Sequence, residues 1–242
     1  MSAMRDHATA EREQDAAPGA PGGDQRVAEW SLRITIVLSR FLRFVSAHWL
    51  CGVNLCMGLY VGLPVLSPIL YQNGYSHAGG LIQTLFRPFC HQRPERSFFL
   101  FGEKTTYSFR ELTAFGGEGL VPYRYVGAPG VGYKIAVCER DVAIYGTMFL
   151  AGLLFWFVRD RLRPLTARQF GLLILPMAVD GLGQLVGLWA STWVSRVVTG
   201  ALFGLASIWL VYPFLHEGMR QVHQEMGETL AARKEAHGPH SG

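Results

Sequence analysis

Five side chains of the types that bind transition metals occur in three separate stretches of the sequence. Cys90 and His91 are adjacent, Cys138 and Asp141 are one helical turn apart, and Asp180 lies within a long apolar run. Thiolate and imidazole suit zinc, copper or iron, and a carboxylate can complete the ligand set. The residue types therefore predict a site for one such metal ion, with Cys90, His91, Cys138, Asp141 and Asp180 as ligands.

The two cysteines of this set have other chemical fates. Cys90 and Cys138 would form a disulfide if they met in an oxidising compartment, and buried cysteines are often inert apolar side chains. The spacing matches no zinc motif of soluble proteins, and the four cysteines form no CxxC pair. Metal ligation, a disulfide and inert thiols all remain open at this point.

Asp180 is unusual because it falls near the middle of a predicted membrane span. An ionisable group there costs at least about 2.5 to 3.5 kcal/mol, so it normally faces a cavity, a cation or a partner charge. A functional Asp180 would be a metal ligand or a general base. A structural Asp180 would be neutralised by Arg140 or Arg196, or protonated and hydrogen-bonded to Gln184.

Three arginines lie near the same predicted membrane boundary, namely Arg96, Arg140 and Arg196. Their guanidinium groups are suited to bind phosphate or carboxylate and to stabilise anionic charge that develops during a reaction. Gln184 would orient groups at the same site. The alternative is that the arginines pair with nearby carboxylates or contact lipid phosphates.

The composition indicates a membrane protein. Hydrophobic residues make up 50% of the 242 residues and charged residues only 17%, and the mean hydropathy is +0.19. A span needs roughly 20 apolar residues to cross the hydrocarbon. The sequence predicts an all-α bundle of four spans, at about 49–71, 135–158, 170–189 and 197–215.

The distribution of arginine predicts the orientation. The connection 159–168 carries four arginines and one aspartate, so it is expected on the cytoplasmic side of the cell membrane. Both termini are then cytoplasmic, and the loop 72–134 lies on the outer side. Because cytoplasmic arginines explain the net charge of +4, nucleic acid is not expected as a partner. Membrane lipids are the expected partners.

The ends of the chain are predicted to flank a membrane domain that covers 31–216. Residues 1–30 have almost no large apolar side chains, so they are expected to be a disordered tail. Residues 31–46 are apolar with three arginines, which suits either a helix at the membrane surface or an extension of the first span. Residues 217–242 are predicted to form a cytoplasmic amphipathic helix and tail.

Three of the four predicted spans contain a GxxxG motif. Small residues at this spacing let membrane helices approach closely. The motifs predict a tight bundle or a homo-oligomer, and they comprise Gly58 and Gly62, Gly183 and Gly187, and Gly200 and Gly204.

Several common catalytic and cofactor signatures are missing. The sequence has no GxSxG nucleophile elbow, no HExxH helix, no Walker loop and no dinucleotide fingerprint. A nucleotide cofactor is therefore not expected.

Four ordered blocks carry a resemblance to a known family. They read C-H-Q-x-P-x-R-S, C-x-R-D with a following tyrosine, P-x-x-x-D-G-x-x-Q, and S-T-x-x-x-R-x-x-T-G. Together they resemble a prokaryotic family of small integral membrane proteins whose function is unknown, over about residues 50–215. The resemblance implies a membrane protein with a polar site, but no particular activity.

Two features depart from the family pattern. Many relatives have a second cysteine where this chain has Asp141, which argues against chemistry that uses thiols alone. The stretch 103–134 is longer than the usual link, and it would form an outer lid or contact a partner.

These observations favour a metal-dependent membrane enzyme that acts on a lipid or another amphiphile. A second hypothesis is an accessory or binding protein, braced by a Cys90–Cys138 disulfide and by ion pairs. A third is a carrier of ions or small solutes with Asp180 midway along the path, which would require an oligomer.

Overall fold

The computed structural model describes residues 23–116 and 125–236 and is mainly helical. The predicted disordered tail therefore lies mostly outside the described residues, but its last part, 23–30, is helical. The helices are α1 (Gly23–Gln72), α2 (Ser76–Phe86), α3 (Phe109–Gly116), α4 (Glu139–Val158), α5 (Ala167–Leu185) and α6 (Trp193–Ala236). A short 3-10 turn, Pro94–Arg96, follows α2.

Three described helices contain segments that are long and apolar enough to cross a membrane: Glu29–Gln72, Glu139–Val158 and Trp193–Glu235. They include the first and fourth predicted spans and residues 139–158 of the second, whose predicted first four residues precede the helix. The third predicted span corresponds to α5, which has 19 residues but is less apolar because it contains Arg168, Gln169, Asp180 and Gln184. The structure thus supports a helical membrane protein, and the count of four spans remains a prediction.

The expectation of a helical chain holds in the main, but the loop between α1 and α4 also contains a small sheet. It contains strands β1 (Phe99–Leu100), β2 (Gly127–Ala128) and β3 (Gly132–Lys134), which form an antiparallel sheet in the order β1-β3-β2. Phe99 pairs with Lys134, and Gly127 pairs with Tyr133. Much of the predicted insertion 103–134 is therefore structured.

Contacts divide the chain into two compact units. One unit comprises His48–Met219. The other comprises, among the described residues, 23–47 and 220–236. These boundaries differ from those predicted for the membrane domain, 31–216.

The smaller unit is rich in exposed apolar side chains beside basic ones. Exposed Trp30, Ile34 and Phe41 lie on the same part of α1 as Arg33 and Arg40. This pattern is consistent with the predicted helix at a membrane surface, although here it is continuous with the rest of α1.

The larger unit has three apolar clusters. One packs α1, α4 and α6 together through Trp49, Phe155 and Tyr212, whose rings meet edge to face. The second packs α2 against residues 135–137, which follow β3. The third lies within the loop, around Phe99, Tyr107, Leu112 and Val131.

The GxxxG motif of α6 is a packing site within the chain. A Cβ atom on Gly200 would lie 3.0 Å from the Arg140 carbonyl oxygen, and one on Gly204 would lie 2.4 Å from the Ile144 carbonyl oxygen. Glycine at both positions lets the backbones of α4 and α6 approach closely.

We expect Gly204→Ala to destabilise the larger unit by about 1 to 3 kcal/mol, because the added methyl group forces the two helices apart. The matched control is Gly146→Ala, since a Cβ atom there meets nothing within 4 Å. Detergent-induced unfolding, followed by circular dichroism, measures both variants. Equal unfolding midpoints for the two variants would contradict this account of the packing.

The GxxxG motif of α5 has a different role. Gly187 follows the helix with φ of +77°, and its N–H donates to the Gln184 carbonyl while the Leu188 N–H donates to the Gly183 carbonyl. These two bonds form a Schellman motif, which ends the helix. The predicted span 170–189 therefore stops at Leu185, and this motif is not a helix-packing face.

Candidate functional site

A sharp turn positions Cys90 immediately after α2. The Cys90 N–H donates to the Phe86 carbonyl over 3.1 Å, and Gln92 has a left-handed backbone with φ of 51°. The Gln92 side chain is buried and donates to the carbonyl oxygens of Gln83 (2.6 Å) and Ala136 (2.8 Å). These bonds hold the turn between α2 and the segment after β3.

A buried lysine supports the same turn. Lys134 is 0% exposed, and its ammonium group donates to the Gln92 carbonyl over 2.5 Å. Burial lowers the pKa of Lys134 to about 8, while the nearby Cys90 opposes this shift. The sequence did not identify Lys134 as part of the site. The feature that could have identified it is that Lys134 is the single charged residue in the run Gly132–Cys138.

Cys138 and Asp141 approach Cys90 from the start of α4. Cys138 is the N-cap residue of the helix; its N–H donates to Cys90 Sγ over 3.3 Å, and its thiol donates to Asp141 Oδ2 over 3.1 Å. The two sulfur atoms and a carboxylate oxygen of Asp141 all lie within 4.8 Å of one another. Three of the five predicted ligands are therefore together.

The two thiols influence each other strongly. Interaction with the Cys138 side chain lowers the pKa of Cys90, whereas burial opposes the shift. The same contact, together with burial, raises the pKa of Cys138. Both cysteines are free thiols in this structure, so it contains no Cys90–Cys138 disulfide bond.

The cluster opens into a cavity of about 360 Å³, which we call the thiol cavity. The exposed His91 lines it, but its ring nitrogens lie outside the compact ligand group. Arg93 and Arg96 also line the cavity, together with Phe89 and Gln92. An ion or substrate in the thiol cavity would thus meet two thiols, a carboxylate, an imidazole and guanidinium groups.

Two arginines line the thiol cavity, and Arg96 is the one that forms no hydrogen bond or ion pair with another described residue. By contrast, Arg93 bonds the Glu95 carboxylate over 2.5 Å. Burial lowers the pKa of Arg96, and the positive charges of Arg196 and Arg93 lower it further. An anionic group in the cavity would relieve this repulsion.

The structure places Asp180 in a different cluster from the thiols. Its Oδ2 atom accepts hydrogen bonds from Arg140 and from Ser191, the latter over 2.7 Å, and its Oδ1 atom accepts one from Ser195 over 2.8 Å. Asp180 is not part of the compact ligand group, and these three partners donate to both of its carboxylate oxygens. The alternative pairing with Arg140 is the one observed, and Ser195 is a partner that sequence analysis did not identify.

Arg196 forms a second buried ion pair. One of its terminal nitrogens donates to Glu139 Oε2 over 2.8 Å, and the other donates to the Ser191 carbonyl over 2.6 Å. Glu139 is only 1% exposed and Arg196 only 8%. Ser191 therefore connects the Asp180 and Glu139 ion pairs.

The remaining predicted residue, Gln184, is half-buried one turn after Asp180 on α5. It does not line the thiol cavity, and it does not belong to the compact ligand group. The predicted single site therefore divides into the thiol cavity, with Arg96, and an ion-pair cluster with Arg140, Asp180 and Arg196.

Comparison with known proteins agrees with a membrane location and adds no activity. Residues 130–210 match the model of a family described as a predicted membrane protein, DUF2085. An uncharacterised protein of Methanocaldococcus jannaschii is 26% identical over 138 residues, which are 56% of this chain and 69% of that protein. No solved structure matches.

The family match confirms the resemblance found in the sequence. It includes Cys138, Asp141 and the ion-pair residues, whereas Cys90 precedes the matched region. This chain is therefore similar to a family of membrane proteins of unknown function, and the roles of its individual residues remain to be tested.

Proposed function

We propose that this chain is an integral membrane protein that binds one zinc, copper or iron ion through Cys90, Cys138 and Asp141. One observation carries the proposal: the three ligand atoms lie within 4.8 Å of one another, beside the thiol cavity. Thiolates together with a carboxylate favour transition metals over magnesium or calcium.

The ligand count suits a reactive metal site rather than a closed structural one. Catalytic zinc sites keep three protein ligands and one open position, whereas structural sites are closed by four. A metal held by Cys90, Cys138 and Asp141 would have room for a further ligand, and His91 lines the same cavity. The site is therefore suited to an enzyme.

The proposed reaction is hydrolysis of an ester in a lipid or another amphiphile. A bound metal ion supplies a Lewis acid that lowers the pKa of water. The water oxygen bonds to the ester phosphorus or carbon, the ester bond to the alcohol oxygen breaks, and one proton passes from water to the departing alcohol. Arg96 would stabilise the anionic charge that develops.

The proposed topology has four spans, with α5 as the third, and leaves both termini in the cytoplasm. The arginine-rich connection 159–168 supports it, because such segments remain on the cytoplasmic side. The thiol cavity then faces outward. Cleavage of the 159–168 connection by protease in inverted vesicles, but not in intact cells, is the expected result.

The metal site is tested by metal content in protein purified gently from membranes, without chelators or a metal-binding tag. We expect about one equivalent per chain. Cys90→Ser should lose the metal. Its metal affinity should fall by more than the roughly 10- to 100-fold that substitution of a residue beside a metal ligand causes. Cys56→Ser is the matched control, since Cys56 is exposed and outside the cluster.

Two results would overturn this function. One is equal metal content in Cys90→Ser and Cys56→Ser. The other is metal-free protein in which Cys90 and Cys138 resist alkylation until reduced, which would favour the accessory protein braced by a disulfide. That alternative is a real competitor because the two sulfur atoms lie within 4.8 Å of each other. The carrier hypothesis places Asp180 along the path of the solute. The structure does not support it, because both carboxylate oxygens of Asp180 accept hydrogen bonds from protein side chains.

A further inference from the structure

A second cavity, of about 530 Å³, lies along α2 and shares no lining residue with the thiol cavity. We call it the α2 groove. Its lining combines hydroxyl, imidazole, amide and guanidinium groups, and consists of Tyr71, Ser76, His77, Gly80, Gln83, Thr84, Arg87 and Val126. The proposed metal function uses none of them.

Two glycines shape the groove. A Cβ atom on Gly79 would lie 2.7 Å from the Tyr71 ring, and one on Gly80 would lie 3.2 Å from the Tyr71 hydroxyl oxygen. The ring therefore lies directly against α2, and it also stacks on the Tyr133 ring with the two centroids 5.5 Å apart. This packing fixes the Tyr71 hydroxyl at the groove.

The groove carries positive charge that the described chain does not neutralise. Arg87 has no ion-pair partner among the described residues, and the groove lining contains no Asp or Glu. Lys134, fully buried, lies close enough that the charge of Arg87 lowers its pKa, in addition to the larger effect of burial. An anion bound beside Arg87 would offset this repulsion.

The groove also contains an unused acceptor. Gln83 is only 2% exposed, and its amide nitrogen donates to Ser67 Oγ and to the Lys134 carbonyl, each over 3.0 Å. Its Oε1 atom is buried and has no hydrogen-bond partner among the described residues. Such an atom favours a ligand that brings a donor, because an unmade buried hydrogen bond is costly.

We propose that the α2 groove binds a phosphate ester that also carries a hydroxyl or ammonium donor. Arg87 and the Tyr71 hydroxyl bind the phosphate, and Gln83 Oε1 accepts a hydrogen bond from the donor. Lipid headgroups such as phosphoglycerol and phosphoethanolamine have this chemistry, and so do soluble phosphate esters. The groove adjoins the end of α1, Gln72, where a membrane-crossing segment ends.

The test is lipid retention, measured by native mass spectrometry after exchange into an equimolar mixture of phosphatidylglycerol, phosphatidylethanolamine and phosphatidylcholine. Wild type should retain the first two over phosphatidylcholine, whose headgroup has no donor. Arg87→Gln should reduce that retention about tenfold or more. Arg110→Gln, a change at an exposed arginine of α3, should leave it unchanged.

Further arms separate the source of the ligand from failure to fold. If glycerol 3-phosphate raises the thermal unfolding temperature, the proposal is supported and the ligand is a soluble phosphate ester. If only phosphatidylglycerol raises it, the proposal is supported and the ligand is a lipid. Arg87→Lys should retain most binding because it keeps the charge. Unchanged metal content in Arg87→Gln shows that the thiol cavity is intact. Equal retention by wild type and Arg87→Gln, or no preference against phosphatidylcholine, overturns the proposal.

Discussion

Arg196→Met is expected to destabilise the larger unit by about 3 to 5 kcal/mol, because it leaves the Glu139 carboxylate buried without its partner. Glu139 is 1% exposed, and the Arg196 contact over 2.8 Å is its one ion pair in the described chain. The same change removes the bond to the Ser191 carbonyl. Detergent-induced unfolding in lipid micelles measures the loss.

The double variant Glu139→Gln with Arg196→Met separates loss of the pair from creation of an unpaired charge. If the unpaired charge causes most of the damage, the double variant should be more stable than Arg196→Met alone. Arg159→Met is a suitable control, since Arg159 contacts Asp160 only at 3.8 Å and the Asp160 side chain is 79% exposed. An Arg196→Met protein as stable as this control would refute the assignment.

The sequence predicted where apolar helices occur, but not where each helix ends. Spans are recognised by the mean hydropathy over about 20 residues, whereas a helix ends through local hydrogen bonds. For α5, the Schellman motif at Gly187 ends the helix before the apolar residues 188–189 that the prediction included. For α1 and α6, helix continues beyond the apolar segments, so the flanking predicted helices are not separate elements.

The candidate site was predicted in part, and the reason is the distance in sequence between its members. Cys138 and Asp141 share a helical turn, so their proximity follows from spacing. Cys90 is 48 residues before Cys138, and its residue type suggested a shared site. Lys134 and Gln83 gave no such signal, because their role depends on backbone carbonyls that the fold brings to them.

Asp180 shows how the same residue type supports two predictions that only geometry separates. A carboxylate within a span requires a partner, but sequence cannot say whether that partner is a metal, a proton or an arginine. In the structure it is Arg140, with Ser191 and Ser195 completing the bonds. These bonds favour a structural role for Asp180, which can be tested against the predicted role as a metal ligand.

Asp180→Asn is accordingly expected to lower stability, by about 3 kcal/mol, because a neutral amide leaves the charge of Arg140 uncompensated within the bundle. The side chains of Arg140 and Asp180 are 18% and 10% exposed, so partial hydration should make the loss smaller than for Arg196→Met. Asp160→Asn is the matched control, since the Asp160 side chain is 79% exposed. Unfolding midpoints and metal content are measured on the same samples.

The pair of measurements distinguishes the two roles of Asp180. A structural Asp180 predicts a lower unfolding midpoint with metal content close to that of wild type, because Cys90, Cys138 and Asp141 are unchanged. A ligand Asp180 predicts the reverse, with metal lost from a protein as stable as Asp160→Asn. The second outcome would require Asp180 to exchange Arg140, Ser191 and Ser195 for the metal, and would place the ion-pair cluster within the site after all.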